Sequence, residues 1–381
     1  IPSQIYTATN RAELVAALRR GAANPKIVKL RGTIDMSEGV PYANTGDQAS
    51  RGLIRLPSNT TLIGDGAGAG IINGHIVVAG VSQVIIRNLK IVNPCDVGPI
   101  WDPNDGALGN WNSAFDAIGV TTSDHVWVDH NTFTDGAMTD DLLPIENGQV
   151  KQCHDGSVDI TKASDYVTVS YNVFGQHRKN NLIGSSDNDP ADAGKLHVSF
   201  SNNVFRDVVS RSPRVRYGQV HMFNNYFVGS KTNPVYPHEY SIGVGHASQI
   251  LSHNNVFEIA GGAAALRCRD VIEPIGGTIR GTFKDTGSAL NGAPLSGCTV
   301  PLNVTFTAPY AYTARPLALV KANALAQAGD GKLTTTITGS GDVTPDTTVT
   351  LHCPPTGLYF CDDFQNGGTA NWNLLPVAGA N

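Results

Sequence analysis

VWVDHNTF, residues 126–133, is the first full copy of a unit that recurs along this chain: a strand-like run, then asparagine, one further residue and phenylalanine. The later copies are VTVSYNVF (167–174), VSFSNNVF (198–205), VHMFNNYF (220–227) and ILSHNNVF (250–257), and a weaker copy, Asn88-Leu89-Lys90-Ile91, precedes them all. The spacing between successive asparagines varies from 22 residues (Asn203 to Asn225) to 43 residues (Asn88 to Asn131). Stacked coils of short strands tolerate this variation because their loops project outward, whereas a superhelix of helix pairs would need steadier spacing.

The repeat predicts an all-β solenoid in which each copy contributes one coil. Asparagine tolerates the left-handed backbone conformation that a sharp corner requires. We therefore expect the asparagines to lie at corners and to form hydrogen bonds from coil to coil, with the aromatic residues stacked in the core. A β-sandwich with repeated turns is the alternative, but equivalent triplets that recur in one direction along the chain favour a solenoid.

The N-terminus predicts a helix that caps this stack. Asn10 and Glu13 have the spacing of a capping box, and Gly21 is a suitable helix end. The apolar stripe between them consists of Leu14, Ala17 and Leu18. A short strand is expected at 27–30, and we assign residues 1–300 to a single domain of stacked coils.

From about Pro301 the repeat is lost, and we treat residues 301–381 as a C-terminal extension. A short helix is expected between Ala314 and Gly329, and the threonine-rich stretch 334–351 favours strands. The segment from Tyr359 to Phe364 faintly resembles the opening strand of a carbohydrate-binding module. Two interpretations stay open: the extension packs on the coils, or it begins a truncated binding module.

The composition excludes some partners. The net charge of −5 provides no general basic field, so we expect no nucleic acid partner. No apolar run is long enough to span a membrane, so we expect no membrane partner either. Any polyanion that the protein binds must therefore meet a local basic patch. We also expect the chain to act as a monomer.

The cysteines indicate an oxidising compartment. All six lie outside CxxC pairs, and an even number without metal-knuckle spacing fits disulfides. Proximity along the chain suggests the pairs Cys95–Cys153, Cys268–Cys298 and Cys353–Cys361, although six cysteines allow fifteen connectivities. Since the chain starts at Ile1, we expect a signal peptide to have been removed and the protein to be secreted.

Three aspartates predict a calcium site. Asp155 and Asp159 lie four residues apart on a strand-like run, so both side chains point to the same face. Asp116 lies before the strand-like run 126–128, one coil earlier in the chain. If the two segments occupy neighbouring coils, Asp116 lies next to Asp155 and Asp159. Three adjacent carboxylates repel one another unless a cation or protons are present. Hard oxygen ligands without a nearby cysteine or histidine trio favour Ca²⁺, although a single aspartate of this kind would be an ordinary surface residue.

Basic residues follow on the next two coils. Lys179 ends the sequence His177-Arg178-Lys179, and Arg211 precedes Arg214 and Arg216, which share one face of a strand. A basic edge strand that discourages aggregation would have the same pattern. The acidic trio on adjacent coils instead favours a groove with calcium on one wall and arginine and lysine on the other, which suits a carboxylated polymer.

These motifs resemble the pectate lyase superfamily, polysaccharide lyase family 1, over roughly residues 27–258. The resemblance rests on the sequences VWVDH (126–130), VTVSYN (167–172), His177 to Gly184, and RSPRVR (211–216) with Gly218 and His221. It implies a right-handed, single-stranded parallel β-helix with an N-terminal capping helix. It also implies a secreted, calcium-dependent enzyme that cleaves polygalacturonate (pectate).

The resemblance also suggests a role for individual residues. Asp116, Asp155 and Asp159 are similar to the calcium ligands of the family, Lys179 and Arg216 to substrate-binding residues, and Arg211 to the general base. Asp129 and His130 lie in the signature stretch, where a structural hydrogen-bonding role near the site is expected. One departure is Ala114, where some members have a further acidic residue, and it leaves open the number of additional calcium ions.

The implied reaction is β-elimination across C4–C5 of α-1,4-linked galacturonate, which gives 4,5-unsaturated products. The C5 proton is acidic because it lies α to a carboxylate, and a neutral base must remove it. A guanidine group is rarely neutral near pH 7, so an alkaline optimum is expected, with Lys179 as the alternative base. The competing functions are a pectin lyase acting on methyl-esterified substrate, a non-catalytic carbohydrate-binding β-helix, and a hydrolase with paired carboxylates.

Overall fold

The computed structural model describes residues 4–21, 24–261, 268–295, 304 and 306–333, together with the backbone of 336–338 and 348–350. The helices are α1 (Arg11–Arg19), α2 (Thr45–Arg51) and α3 (Leu317–Gln327), and short 3-10 turns span Asp140–Leu142, Pro190–Asp192 and Cys268–Asp270. The strands, in chain order, are β1 (Gln4–Ala8), β2 (Lys26–Leu30), β3 (Thr33–Asp35), β4 (Leu53–Arg55), β5 (Thr60–Gly64), β6 (Gly70–Ile72), β7 (His75–Ala79), β8 (Ser82–Arg87), β9 (Lys90–Val92), β10 (Ile100–Asp102), β11 (Asn110–Asn112), β12 (Ile118–Thr121), β13 (Asp124–Asp129), β14 (Thr132–Thr134), β15 (Ile145–Glu146), β16 (Gln149–Val150), β17 (Val158–Thr161), β18 (Asp165–Ser170), β19 (Val173–Lys179), β20 (Leu182–Ile183), β21 (His197–Ser201), β22 (Val204–Ser210), β23 (Arg214–Val215), β24 (Gln219–Phe223), β25 (Tyr226–Ser230), β26 (Ile242–Val244), β27 (Gln249–His253), β28 (Val256–Ala260), β29 (Ile272–Pro274), β30 (Thr282–Thr286), β31 (Ala289–Leu290), β32 (Ala293–Pro294), β33 (Thr336–Thr338) and β34 (Thr348–Thr350).

Most of these strands form three long sheets that wind around a common core. The first sheet has the order β1-β2-β5-β8-β13-β18-β21-β24-β27-β30, the second β3-β6-β9-β14-β19-β22-β25-β28-β31-β32, and the third β29-β26-β23-β20-β17-β12-β7-β4. Neighbours pair in parallel, except the closing pair β31–β32. Each coil takes one strand from each sheet in turn, which is a right-handed parallel β-helix. The predicted fold is confirmed.

The asparagine repeat forms the predicted ladder of hydrogen bonds. Each ladder asparagine donates from Nδ2 to Oδ1 of the next, at 2.9–3.1 Å along the series Asn131, Asn172, Asn203, Asn225 and Asn255. The same Oδ1 atoms also accept the backbone N–H of the preceding coil. Buried amide groups at the bend between the first and second sheets are therefore satisfied by side chains rather than by water.

The predicted left-handed conformation falls on a different residue. The positive φ angles belong to the residue before each ladder asparagine, namely His130, Tyr171, Asn202, Asn224 and Asn254. Since the ladder asparagine uses both its backbone N–H and its side chain in bonds between coils, its predecessor makes the corner. The weak first copy is also shifted by one residue, because Leu89 N, not Asn88, donates to Asn131 Oδ1 (3.1 Å).

The phenylalanines of the triplets stack inside the coils, as predicted. Successive ring centroids lie 4.4–5.1 Å apart with interplanar angles of 7–17°. The stack runs through Phe133, Phe174, Phe205, Phe227 and Phe257. All five rings are almost fully buried. Burial of aromatic rings of this size contributes a large share of the core free energy.

The N-terminal end of the stack is covered by α1. Asn10 Oδ1 accepts the N–H of Glu13 (3.0 Å) at the start of α1, and Leu14 and Leu18 bury the helix against the first coils, as predicted. Glu13 in turn accepts the N–H of Thr9 (2.8 Å), so it binds one residue earlier than a capping box requires.

No described helix is long and apolar enough to cross a membrane.

Part of the C-terminal extension lies on the β-helix. The expected helix is present as α3, and Ala324 and Ala328 pack against Val204 and Tyr226 of the second sheet. Beyond the helix, Gly331 N donates to Asn88 Oδ1 (2.8 Å). The threonine-rich stretch contains the paired strands β33 and β34, and the segment from Tyr359 to Phe364 lies outside the described residues.

The Cys95–Cys153 disulfide is present. It joins the two long loops between the second and third sheets, those that precede β12 and β17. Cys298, Cys353 and Cys361 lie outside the described residues, so the other two pairings stay predictions.

The ladder makes a testable contribution to stability. Asn203→Ala removes the acceptor of Asn172 and the donor to Val169 O, and leaves buried polar groups unpaired. We expect the free energy of unfolding to fall by roughly 2–4 kcal/mol. Thermal and urea unfolding measure the change. Arg206→Ala, an exposed substitution on β22, is the control and should have little effect; equal stability of the two variants would contradict the structural role of the ladder.

Candidate active site

The predicted site residues other than Arg216 lie at one edge of the third sheet, where four neighbouring strands begin. Asp116 precedes β12, Asp155 precedes β17, and Asp159 lies within β17. Lys179 ends β19, just before β20, and Arg211 lies between β22 and β23. Because β12, β17, β20 and β23 are consecutive neighbours, acidic and basic residues come from successive coils.

Asp116 and Asp159 lie next to each other on one face, and the charge of Asp155 acts on both. The β12–β17 register pairs Gly119 with Asp159. Asp116 Oδ1 accepts the N–H of Gly156 (3.0 Å), and Asp159 Oδ1 accepts the N–H of Leu182 (2.9 Å). A Cβ atom on Gly156 would lie 2.2 Å from Asp159 Oδ1 and 2.9 Å from Asp116 Oδ1, so glycine leaves the space between the two acids open.

Burial and mutual repulsion make this cluster unfavourable when all its members are charged. Burial raises the pKa of Asp116 well above its usual value, and the charges of Asp159 and Asp155 add to the effect. Burial, followed by the charge of Asp155, raises the pKa of Asp159 to about 8. Burial also raises the pKa of Asp155, although Lys179 and Arg211 act in the opposite direction. The three side chains are partly exposed, so a cation from solvent can reach them.

A fourth carboxylate, Asp96, belongs to the same cluster, and the sequence did not predict it. Its side chain is 4% exposed, and its Oδ1 is buried without a hydrogen-bond partner among the described residues. Burial raises the pKa of Asp96 to about 7, with a further contribution from Asp155. The only signal in the sequence was its position next to Cys95, whose predicted disulfide partner lies two residues before Asp155.

The basic residues face this cluster from the next coils. Lys179 is 7% exposed, and its Nζ lies 3.4 Å from the carbonyl oxygen of Trp111. Burial lowers the pKa of Lys179, Arg211 lowers it further, and Asp155 opposes the shift. Arg211 has a φ of +62°, and its carbonyl accepts the N–H of Asn181 (2.6 Å). A non-glycine residue in this region is uncommon and often marks a functional position.

Arg216 directly follows the end of β23 and already has an acidic partner. Its Nε donates to Asp187 Oδ1 (2.7 Å) and its Nη1 to Gly184 O (3.0 Å). Arg214, on the same face of β23, has a buried Nε without a partner among the described residues. Burial, with the charges of Arg216 and Arg211, lowers the pKa of Arg214 to about 10.

A buried histidine, His177, for which the sequence predicted no role, lies behind the basic residues. His177 Nδ1 lies 2.7 Å from Asp135 Oδ1, and its Nε2 lies 3.2 Å from the carbonyl of Lys179. Burial alone would lower the pKa of His177, but Asp135 raises it above the usual value. Asp135 also accepts from Asn93 and Tyr236, both at 2.8 Å. This network fixes the backbone at Lys179.

Two further features lie around the site, and the second concerns the expected structural role of Asp129 and His130. Trp111 anchors the β10–β11 hairpin: it is 8% exposed and its Nε1 donates to Glu146 O (3.1 Å). Asp129 forms a buried ion pair with Arg87 (2.8 Å) and contacts His130 Nδ1 (2.6 Å). That role is structural, as expected. Both residues, however, belong to the strand and corner of the first sheet, not to the third sheet that carries the carboxylates.

Comparison with known proteins gives a consistent picture. The pectate lyase family model matches residues 2–333. Pectate lyase A of Dickeya chrysanthemi is 44% identical over 337 residues, which cover 86% of this chain and 83% of the relative. The pectate lyase of Bacillus subtilis is 34% identical over 376 residues, with 87% and 88% covered. A solved pectate lyase bound to a hexasaccharide has a TM-score of 0.79 and 33% identity, over 87% of this chain and 92% of that one.

The raised carboxylate pKa values predict how stability depends on pH. In EGTA, the folded protein keeps a proton on Asp159 up to a pH of about 8, because the pKa of this group is raised to about 8 in the folded state. In the unfolded chain the same group has its ordinary pKa of 3.8 and has lost the proton above that pH. The folded state therefore binds more protons in this range, and its stability should fall as pH rises from 5 to 8. Thermal unfolding in EGTA measures the trend.

Asp159→Asn isolates the contribution of the cluster. This variant should lose less stability than the parent over the same pH range, because one repelling charge is absent. Asp141→Asn, at an exposed position on the loop before β17, should follow the parent. A pH dependence that Asp159→Asn leaves unchanged would show that the cluster does not retain protons.

Proposed function

This chain belongs to the pectate lyase family, and we propose that it cleaves α-1,4-linked polygalacturonate by calcium-assisted β-elimination, with Arg211 as the base and 4,5-unsaturated oligogalacturonates as products. The observation that carries the proposal is the acidic cluster on two coils with Lys179 and Arg211 on the next two. Membership of the family makes the chain a polysaccharide lyase, and the residue roles are our assignment.

Asp116, Asp155 and Asp159 are proposed to hold the calcium ion. Carboxylate oxygens are the ligands that Ca²⁺ prefers, and the repulsion within the cluster favours a divalent cation over three charged acids alone. The space opened by Gly156 between two of the acids supports the same assignment. A bound calcium ion would supply positive charge for the carboxylate of the substrate as negative charge develops there.

Lys179 and Arg216 are proposed to bind the substrate. The buried position of Lys179 beside Asp155 places a positive charge next to the acidic cluster, where it can pair with a galacturonate carboxylate. Arg216 can reach substrate only through donors that Asp187 and Gly184 leave free. We therefore expect Lys179 to contribute more to the transition state and Arg216 mainly to binding.

Arg211 is proposed to remove the C5 proton. As the C5–H bond breaks, its electrons form the C4=C5 double bond, the C4–O bond breaks, and the leaving oxygen takes a proton from solvent. Lys179 strengthens this step because positive charge near the substrate carboxylate stabilises the enolate-like state. The fixed backbone of Arg211, held through Asn181, supports a defined side-chain origin for the base.

We further propose that the protein acts outside the cell as a monomer. The Cys95–Cys153 disulfide supports an oxidising environment.

The reaction class and the calcium requirement can be measured together. Elimination creates a double bond conjugated to a carboxylate, so polygalacturonate should gain ultraviolet absorbance with CaCl₂ and lose nearly all of that gain in EGTA. Activity that survives EGTA and prefers methyl-esterified pectin would indicate a pectin lyase. Reducing ends without the absorbance would indicate hydrolysis, and binding without products a non-catalytic protein.

The base can be identified with two matched variants. Arg211→Lys keeps the charge but moves the nitrogen, and should lower kcat by about 10²–10⁴-fold with little change in calcium affinity. Arg206→Lys, at an exposed position, should leave kcat unchanged. If Arg211→Lys retains activity while Lys179→Arg loses it, Lys179 is the base.

The pH profile offers an independent check. A guanidine group accepts a proton only when neutral, and the neutral fraction grows with pH. The rate at saturating calcium should therefore rise toward alkaline pH in the parent enzyme. A maximum near pH 5 would contradict arginine as the base.

A further inference from the structure

We propose that Asp96 is a positioning residue that holds the backbone segment carrying Asp116 next to the segment carrying Asp155. This inference rests on the proposed calcium site and deepens it. Nothing in the sequence repeat points to Asp96, because it lies in the long loop between β9 and β12.

The backbone of Asp96 is fixed to the Asp155 segment. Its N–H donates to the carbonyl of Cys153 (2.7 Å), two residues before Asp155. The neighbouring Cys95 is joined to the same Cys153 by the disulfide. A covalent bond and a hydrogen bond thus fix Asp96 to one of the two loops that carry the carboxylates.

The side chain of Asp96 is fixed to the Asp116 segment. Its Oδ2 accepts the N–H of Ala114 (2.5 Å), two residues before Asp116. On the other side of Asp116, Ala117 N donates to Gly156 O (2.9 Å). The backbone is therefore hydrogen-bonded on both sides of Asp116. Asp96 provides the bond on the N-terminal side, in the loop before β12, where the strand pairing of the third sheet does not extend.

This role needs an acceptor at a fixed distance rather than a charge. Asparagine at position 96 would offer the same carbonyl-type acceptor to Ala114, and its amide could donate within the cluster from the place of the unpartnered Oδ1. Glutamate would keep the charge but place its oxygens one methylene further from Cys153. The two substitutions therefore separate geometry from charge.

The test is calcium binding to the purified full chain, measured by isothermal titration with CaCl₂ for the parent, Asp96→Asn, Asp96→Glu and Asp141→Asn. Positioning predicts that Asp96→Asn keeps Kd within about fivefold, whereas Asp96→Glu weakens it by about 10–100-fold, the range for residues that orient metal ligands. Asp141→Asn controls for the loss of one negative charge on the adjoining loop and should match the parent.

The opposite order, with Asp96→Glu close to the parent and Asp96→Asn much weaker, would overturn positioning and make Asp96 a charge or a direct ligand. Equal affinity of both variants and the parent would also overturn it. A parent that binds no calcium would instead overturn the proposed calcium site, and this role of Asp96 with it. Far-ultraviolet circular dichroism confirms that each titrated variant is folded.

Discussion

Repulsion among the carboxylates at the edge of the third sheet is the interaction that the rest of the structure must withstand. Strands in a sheet lie roughly 4.8 Å apart, and charges at such distances interact strongly wherever water is partly excluded. In a flexible chain Asp116, Asp155 and Asp159 would separate. Here β12 and β17 are neighbours in a parallel ladder, so the backbone keeps the acids together.

The core and the ladder provide the rigidity that this arrangement needs. Phenylalanine rings stack in register through five coils, and the asparagine ladder pairs buried amides at the bend between the first and second sheets. Both features lie away from the third-sheet edge that carries the carboxylates. Stability and site are thus separated in space, which allows an unfavourable charge cluster to persist in a well-packed protein.

The fold could be predicted from the sequence because the repeat reports directly on burial and hydrogen bonding. The exact corner could not, since Asn202 and Asn203 are adjacent and the same residue type suits both the left-handed position and the ladder. Only the backbone shows that Asn202 turns and that Asn203 pairs. The prediction for the weak first copy was wrong by one residue for the same reason. Asn88 has a left-handed backbone, and Leu89 occupies the ladder position.

Some residues of the site could be predicted from the sequence and others could not. Asp155, Asp159, Lys179 and Arg211 could be brought together from the sequence, because each lies near a strand whose register follows from the repeat. Asp96 lies in a loop of irregular length, and no period predicts where such a loop crosses. His177 and Asp135 belong to the neighbouring strands β19 and β14 or directly follow them, so the repeat contained a signal for this pair. The acid that hydrogen-bonds to Arg216, Asp187, also comes from a loop.

The order of the coils gives the site a direction. Along the third sheet the acids of β12 and β17 come first, then Lys179 before β20, then Arg211 before β23. An acidic polymer lying along the β-helix axis would therefore meet the proposed cation site at one end and the proposed base at the other. Lys179 lies between them, with its pKa lowered by burial and Arg211 and opposed by Asp155. Under the proposed roles, specificity for a carboxylated chain follows from strand order, because a neutral sugar polymer would leave both the cation site and Lys179 without a partner.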